Sequence, residues 1–389
     1  MIKVITDLTA KVADRVLKMK PTTKIVLGVA TAATATAAGA LAIKAVQAKQ
    51  QNRSVKSLVV EDAMRRLPSR ANEQDDYEKA LEQSALPYSL PDFARKTIGF
   101  SEYDDFDDTF IIMPKEQYSD FVIFYIHGHD FWVDPSKVQF KFYKKLADTI
   151  GAPLVLPVYP KAPAHHVGEV QEMLLDRYLY LVNVKEVAPQ NIIIAGDAAG
   201  GGLVLSLLQR MRYQALPMPK QALLFSPWLD VTCSNPEMEE IRQSDPLLKI
   251  ERLQFCGKEY AGDVALESPV VSPLYGDIKG LPPISVFTGT HDILSVDAIK
   301  LNSIAEESKL DVNVYVFPNQ LHFFMGLPIP EAREVLEIVA EEVFGVTDED
   351  GYGESEEGDE LDEQPEAPAE EIAEEVTEVL EEEALETEE

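Results

Sequence analysis

The chain has 389 residues, of which 46% are hydrophobic, so it is long enough to bury the core of one large domain. Its 67 acidic residues outnumber its 35 basic residues, and this imbalance, with no basic stripe evident on the main body, excludes nucleic-acid binding. Two cysteines, Cys233 and Cys256, are too few for a disulfide framework or a four-thiolate zinc site.

The beginning of the chain divides into a basic segment, 1–24, and an uncharged segment, Ile25–Ile43. A helix over 25–43 would span about 28 Å, close to the roughly 30 Å hydrocarbon core of a membrane. This length and the flanking lysines favour a single-pass membrane anchor. The alternatives are a cleaved signal peptide and an alanine-rich soluble helix. Balanced charges on the two sides leave the orientation open.

Residues 44–96 are polar, with a helical rhythm and several prolines, which predicts a stalk and cap helices that pack over the following domain. From 97 to 346, short apolar runs alternate with amphipathic helices. This alternation predicts an α/β fold with a mostly parallel sheet covered on both faces. The predicted strands are Phe121–His127, Pro153–Tyr159, Asn191–Ala195, Ala222–Ser226, Ile284–Thr288 and Val312–Phe317. The predicted helices lie near Val138–Ile150, Glu169–Val182, Gly201–Tyr213, Ser295–Ser308 and Pro330–Phe344.

The last segment, 347–389, contains 22 acidic residues and neither Lys nor Arg. It has too little apolar surface to offset the entropy of ordering, so its composition predicts a solvated, disordered tail. A docking motif for a basic partner is the alternative.

The most informative segment joins a predicted strand to a predicted helix and reads Ile-Ile-Ile-Ala-Gly-Asp-Ala-Ala-Gly-Gly over 192–201. In a Gly-x-Ser-x-Gly elbow, a tight turn of small residues holds a serine above the sheet. The helix that follows supplies amide donors and a partial positive charge for a developing oxyanion. Here the central position is Ala198, whose methyl group has no lone pair and cannot attack a carbonyl.

This elbow and several other motifs, in the same order, resemble the hormone-sensitive-lipase-type esterases of the α/β-hydrolase fold over roughly residues 97–345. The motifs are Tyr125–Gly128, Val158–Pro163, Ser226–Thr232, Asp245–Leu248, Thr288–Leu294 and Gln320–Phe324. The resemblance implies an α/β-hydrolase fold with a helical cap. It makes Asp292 and His322 the counterparts of the triad acid and histidine, in the chain order that this fold uses.

The resemblance also assigns the residues around the triad. The oxyanion positions are Gly128, His129 and Ala199. The substrate-binding positions are His127, Asp130, Phe131, Asp197 and Trp228. In this family's geometry Asp197 points away from the substrate, so it is not expected to act as a nucleophile.

Two departures from the family pattern argue against catalysis. The nucleophile is absent at Ala198, and the oxyanion loop reads His127-Gly128-His129-Asp130 instead of consecutive glycines. Asp130 is expected to bring a negative charge beside the place where an oxyanion would form, which opposes its stabilisation. We therefore predict a natural, non-catalytic member that binds a small acyl ligand or a protein partner. An ester hydrolase inactivated by an engineered Ser→Ala change and a scaffold with the domain as spacer are the alternatives.

The sequence implies no cofactor and no metal. Its glycine run at 200–202 lacks the phosphate-loop pattern. Imidazole and carboxylate groups near the predicted strand ends come closest to a metal site, but no paired-histidine spacing supports one. These groups belong to His127, His129, His291, His322, Asp130 and Asp292. The sequence does not determine the oligomeric state.

Overall fold

The computed structural model of the chain describes residues 43–66, 73–97, 100–102 and 106–345. The basic segment, nearly all of the predicted anchor and the acidic tail lie outside these residues. Within the described part, no helix has the length and hydropathy of a membrane span. Residues 43–50 are helical and belong to a first unit that ends at Gln51, and the second unit begins at Asn52.

The second unit is built on an eight-stranded sheet in the order β1-β2-β4-β3-β5-β6-β7-β8. The strands are β1 Phe100–Glu102, β2 Thr109–Ile112, β3 Val122–Ile126, β4 Leu154–Pro157, β5 Ile192–Asp197, β6 Gln221–Phe225, β7 Ile284–His291 and β8 Val312–Leu321. The six strands from β3 to β8 are parallel, whereas β1 and β2 extend one edge in antiparallel pairing. The α/β prediction is confirmed.

Ten helices of the described residues accompany this sheet. They are α1 Val55–Met64, α2 Glu73–Ser84, α3 Asp92–Thr97, α4 Lys137–Ile150, α5 Val167–Asn183, α6 Ala198–Tyr213, α7 Glu237–Ile241, α8 Ile250–Ala261, α9 Ser295–Ser308 and α10 Pro330–Phe344. Short 3-10 turns lie at Pro189–Asn191, Pro273–Tyr275 and Phe324–Gly326.

The core lies on both faces of the sheet, because the central parallel strands are largely apolar. β5 and β6, for example, are buried along their whole length. Helices α5, α6 and α9 cover one face, and α4 and α10 cover the other together with part of α1. A fully buried Leu, Ile or Phe side chain contributes about 1.5–3 kcal/mol to the stability of the fold. Burial on both faces therefore stabilises the sheet at the centre of the domain.

The register of the strands sets which loops meet at their carboxyl ends. Ile126 at the end of β3 pairs with Gly196 in β5, and Asp197 pairs with Phe225 at the end of β6. His291 in β7 lies opposite Leu321 in β8. The loops after β3, β5, β6, β7 and β8 therefore gather at one edge, where open α/β sheets place their sites.

Candidate active site

The turn between β5 and α6 keeps the geometry of a nucleophile elbow. Asp197 is extended (φ −114°, ψ 153°), and Ala198 then takes a positive φ of 45° at the first position of α6. This torsion is costly for a residue with a side chain, so it persists only where its surroundings impose it. A Cβ at Gly200 would lie 2.1 Å from the Ile126 carbonyl oxygen. The small residues are therefore required because the helix starts against the end of β3.

The acid and the histidine predicted from the sequence motifs are brought together. Asp292 follows β7 and His322 follows β8, and Nδ1 of His322 lies 2.9 Å from Oδ2 of Asp292. Asp292 is fully buried, and its Oδ1 accepts a 2.9 Å hydrogen bond from the Leu294 amide. Burial works against a charged imidazole, but the Asp292 carboxylate outweighs it and raises the pKa of His322.

A second buried carboxylate, Asp245, supports the turn that carries Asp292. Its Oδ2 accepts a 3.0 Å hydrogen bond from the Ile293 amide, and its Oδ1 accepts bonds from the amides of Leu247 and Leu248. Burial and the nearby charge of Asp292 raise the pKa of Asp245 to about 6. Asp245 was not among the predicted site residues, although its Asp-Pro-Leu-Leu motif was the available signal.

The predicted oxyanion loop closes onto the elbow. The amide of Ala199, which would donate to an oxyanion, donates instead to the carbonyl oxygen of His129 at 3.3 Å. His129 and Phe131 both have positive φ, 80° and 69°, so the loop takes an unusual path to bring that carbonyl inward. One of the predicted oxyanion donors is therefore already engaged by the chain itself.

Asp130, which was predicted to bring a negative charge beside the oxyanion position, has its carboxylate paired within the chain. Its Oδ2 forms an ion pair with Arg252 of α8, with 2.9 Å to Nη2 and 3.2 Å to Nε. Its Oδ1 accepts a 3.3 Å hydrogen bond from the Trp132 amide. The carboxylate thus holds the loop to α8, since its negative charge finds a guanidinium there. Arg252 was missed because it lies more than 120 positions away in the sequence.

His127 is a buried packing residue, not a group exposed to a ligand. Its ring stacks on Tyr159 with 4.1 Å between centroids and an interplanar angle of 2°. Burial, with a contribution from the charge of Lys161, lowers the pKa of His127 to about 3, so the imidazole is neutral at physiological pH. Its assignment as a substrate-binding residue is not supported by this position.

Asp197 also differs from its predicted binding role, because its side chain lies under the loop. Its carboxylate accepts hydrogen bonds from the Tyr125 hydroxyl at 2.9 Å and the Gln139 amide at 2.7 Å. Burial raises its pKa to about 6. A Cβ at Gly128 would lie 2.0 Å from Oδ2 of Asp197. Gly128 is therefore required for close packing against this carboxylate.

Aromatic rings fill the space beside the elbow. Phe131 stacks on Tyr260 of α8 with 3.8 Å between centroids and an angle of 3°, and it lies 5.2 Å from the ring of Trp228. The Trp228 amide donates to the Ala198 carbonyl oxygen at 2.8 Å, so this aromatic group directly adjoins the elbow. Phe131 and Trp228 are each no more than 2% exposed. Phe131 thus packs against α8, and Trp228 packs against Phe131.

The described residues contain no group of three or more metal-ligating side chains. The histidine next to Asp292 is engaged elsewhere, since Nδ1 of His291 lies 3.2 Å from Oε2 of Glu61 in α1. The site is therefore an elbow, an acid–histidine pair and a closed loop.

Comparisons with known proteins agree with this geometry. A family model described as "alpha/beta hydrolase fold" matches residues 123–326. An esterase of Acinetobacter venetianus is 33% identical over 57% of this chain and 73% of its own length. An acetyl-hydrolase of Streptomyces hygroscopicus is 26% identical over 56% of this chain and 73% of its own. The crystal structure of an esterase from the bacterial hormone-sensitive lipase family superimposes with a TM-score of 0.64 at 24% identity, covering 75% of this chain and 98% of that one.

The chain therefore belongs to the α/β-hydrolase fold family. The hormone-sensitive-lipase-type esterases, which the order of its motifs resembles, share this fold.

Proposed function

We propose that this protein is a non-catalytic esterase homologue, held at a membrane by segment 25–43, that acts by binding a partner. The observation that carries the proposal is the elbow itself, where Ala198 stands at positive φ in an otherwise intact turn. Without the nucleophile, a triad enzyme keeps only the contribution of binding and the oxyanion hole, about 10³–10⁴-fold over water.

The closed oxyanion loop supports the same conclusion independently. The Ala199 amide donates to His129, so a substrate carbonyl would have to displace an existing hydrogen bond. Loss of one oxyanion donor costs about 10²–10³ in kcat in serine hydrolases. The Asp130–Arg252 ion pair and the Phe131–Tyr260 stack hold the loop in this position.

The packing beside the elbow favours a protein partner over a small acyl ligand. The rings of Phe131, Trp228 and Tyr260 are buried against one another where an acyl chain would need room. An acyl group would have to separate a parallel stack at 3.8 Å and expose apolar surface. Recognition at the outer surface of the domain needs no such rearrangement.

One observation favours a second candidate, a carboxylic ester hydrolase whose serine has been replaced. The Asp292–His322 pair is retained at 2.9 Å, and its histidine sits where a serine would need a base. Relatives of the chain are named as esterases. In this alternative, restoring one oxygen atom at position 198 restores activity.

Hydrolysis of p-nitrophenyl acetate and butyrate distinguishes the two candidates. We expect no turnover above background for the natural chain, and little for Ala198→Ser, because the oxyanion donor stays engaged. The triple variant A198S/H129G/D130G should exceed A198S by about 100-fold, the contribution of one oxyanion donor. The matched control is H129G/D130G with Ala198 retained, which should stay inactive.

Two results would count against the proposal. Turnover by the natural chain that disappears in His322→Ala would show a working catalyst. Full activity in Ala198→Ser alone, with fluorophosphonate labelling of the new serine, would favour the replaced-serine hydrolase and show that the loop opens readily.

A further inference from the structure

Helix α4 carries the most positive charge of the described helices, in a chain whose net charge is −32. Its 14 residues include four lysines and one aspartate. Lys137, Lys141 and Lys145 are spaced four residues apart and so share one side of the helix, which we call the lysine face. Lys141 and Lys145 are exposed, whereas Phe142 and Leu146 are fully buried against the sheet. The lysine face is a local basic patch on a main body that shows no basic stripe in its sequence.

Helix α10 lies beside α4 and runs in the same direction, so that the two helices begin near each other and end near each other. At their beginnings, a Cβ at Gly326, just before α10, would lie 2.8 Å from Cγ1 of Val138. At their ends, the ring of Phe344 lies 6.2 Å from that of Tyr118. Tyr118 in turn donates a hydrogen bond to the Asp148 carbonyl oxygen at 3.3 Å. The chain therefore leaves α10, at Gly345, next to the carboxyl-terminal end of α4.

The segment that continues from this point has the complementary charge. Residues 346–389 contain 22 acidic residues and no basic ones. The lysine face runs along a helix about 21 Å long, and a segment of this length reaches several times further. Two glutamates of α10 form hydrogen bonds away from α4. Glu331 accepts a hydrogen bond from the Ser54 amide, and Glu342 accepts one from the Ser285 hydroxyl.

We propose that the acidic segment 346–389 docks on the lysine face of α4 in the same molecule. Attachment at Gly345 makes this an intramolecular association, which raises the effective concentration of carboxylates near the lysines to about the millimolar range. Single exposed ion pairs are weak and screened by salt, so the association depends on many carboxylates facing a cluster of lysines. This inference does not depend on whether the elbow is catalytic.

Zero-length cross-linking of the full-length chain tests the contact. A carbodiimide activates a carboxylate, the lysine amine attacks it, and an amide remains that mass spectrometry locates after digestion with trypsin and Glu-C. We expect links from 346–389 to the lysine face to dominate over links to the exposed Lys258 and Lys300, and to fall in 0.5 M salt, where the screening length drops to about 4 Å. Mixing ¹⁴N- and ¹⁵N-labelled chains shows whether each link lies within one molecule.

A second measurement does not rely on the cross-linked lysines. Glu-C cleaves after glutamate, and a docked segment is cleaved slowly. We expect K141Q/K145Q to raise the cleavage rate of 346–389 severalfold, while the control K258Q/K300Q leaves it unchanged. Far-ultraviolet circular dichroism and the thermal midpoint verify that both variants fold like the natural chain.

Three outcomes would overturn the proposal. Links spread over all exposed lysines would show no preferred site. Links mainly between ¹⁴N and ¹⁵N chains would assign the lysine face to a second copy. Unchanged cleavage in K141Q/K145Q, together with binding of the lysine face to phosphatidylserine vesicles, would assign it to an anionic membrane surface.

Discussion

At position 198 a single oxygen atom separates this chain from an esterase triad, yet the acid and the histidine remain paired. Burial explains this without any catalytic role. Asp292 is fully buried, and a buried carboxylate that loses its partner is strongly destabilising. His322 and the Leu294 amide together satisfy it. The pair is therefore retained for stability once the turn after β7 has placed Asp292 inside.

The protonation of His322 provides a test at this scale. Burial alone would lower its pKa, but Asp292 raises it above the ordinary 6.5. The stabilisation from the charged pair is present in full below pH 6.5 and is lost as the pH rises through the folded-state pKa. We expect an NMR titration of the imidazole to show the raised pKa, and Asp292→Asn to lower it because the charge that contributes most to raising it is then lost. A natural chain whose His322 titrates below 6.5 would contradict this assignment.

At the scale of elements, the elbow depends on close contact between the end of β3 and the start of α6. Gly196, Gly200 and Gly201 allow the helix to start where the strand ends, because a Cβ at any of them would lie within 3 Å of neighbouring atoms. The same contact brings the loop after β3 close enough for the His129 carbonyl to reach the Ala199 amide. The packing of this turn therefore also sets how the loop closes.

Two separate Gly→Ala substitutions distinguish the steric requirement for glycine at the elbow from the effect of helix propensity. Gly200→Ala places a methyl group 2.1 Å from the Ile126 carbonyl oxygen, so we expect a loss of about 3 kcal/mol, the upper range for overpacking. The control is Gly168→Ala in α5, where nothing lies within 4 Å and the helix should gain up to about 1 kcal/mol. Urea unfolding followed by circular dichroism measures both. Equal effects of the two changes would show that the elbow can relax around the added methyl group.

At the scale of the whole second unit, helix α1 is joined to the end of β7 by an ionic network around Glu61. Glu61, with a side chain 6% exposed, accepts from Arg53, from Arg65 and from His291, the residue before the triad acid. Arg65 also donates to the Ser244 carbonyl oxygen at 2.6 Å, just before Asp245. The network joins α1 to the rim of the acid–histidine site.

The charge of Glu61 should make this attachment sensitive to acid. Burial alone would raise its pKa, but hydrogen bonds from His291, Arg53 and Arg65 lower it from 4.5 to about 2. A depressed pKa stabilises the fold above pH 4.5 and loses that stabilisation, about 3 kcal/mol, as the pH falls toward 2. We expect Glu61→Gln to lower the free energy of unfolding by about 3–5 kcal/mol near neutral pH. The free energy of unfolding of this variant should also depend less on pH in the acid range.

Chemical unfolding between pH 7 and pH 3 checks this expectation. The matched control is Glu337→Gln, which removes an exposed carboxylate of α10 and should leave the pH profile unchanged. If both variants follow the same profile as the natural chain, the Glu61 network does not hold α1 in place.

By itself, the sequence determined the parallel strands and five of the helices, and its resemblance to a known family implied the pairing of Asp292 with His322. Apolar runs and helical periodicity are local signals, and motif order places the acid and the histidine at neighbouring strand ends. The edge strands β1 and β2 were missed, because they are short and border the acidic segment 102–108, whose composition is typical of a loop.

Only the tertiary structure decided that Asp130 faces Arg252, that the His129 carbonyl meets the Ala199 amide, and that Glu61 reaches His291. Each of these contacts joins segments about 70 to 230 positions apart, and each depends on backbone torsions and side-chain directions that packing selects. Periodicity reports which face of an element is buried. It carries no information about which distant polar group will stand opposite.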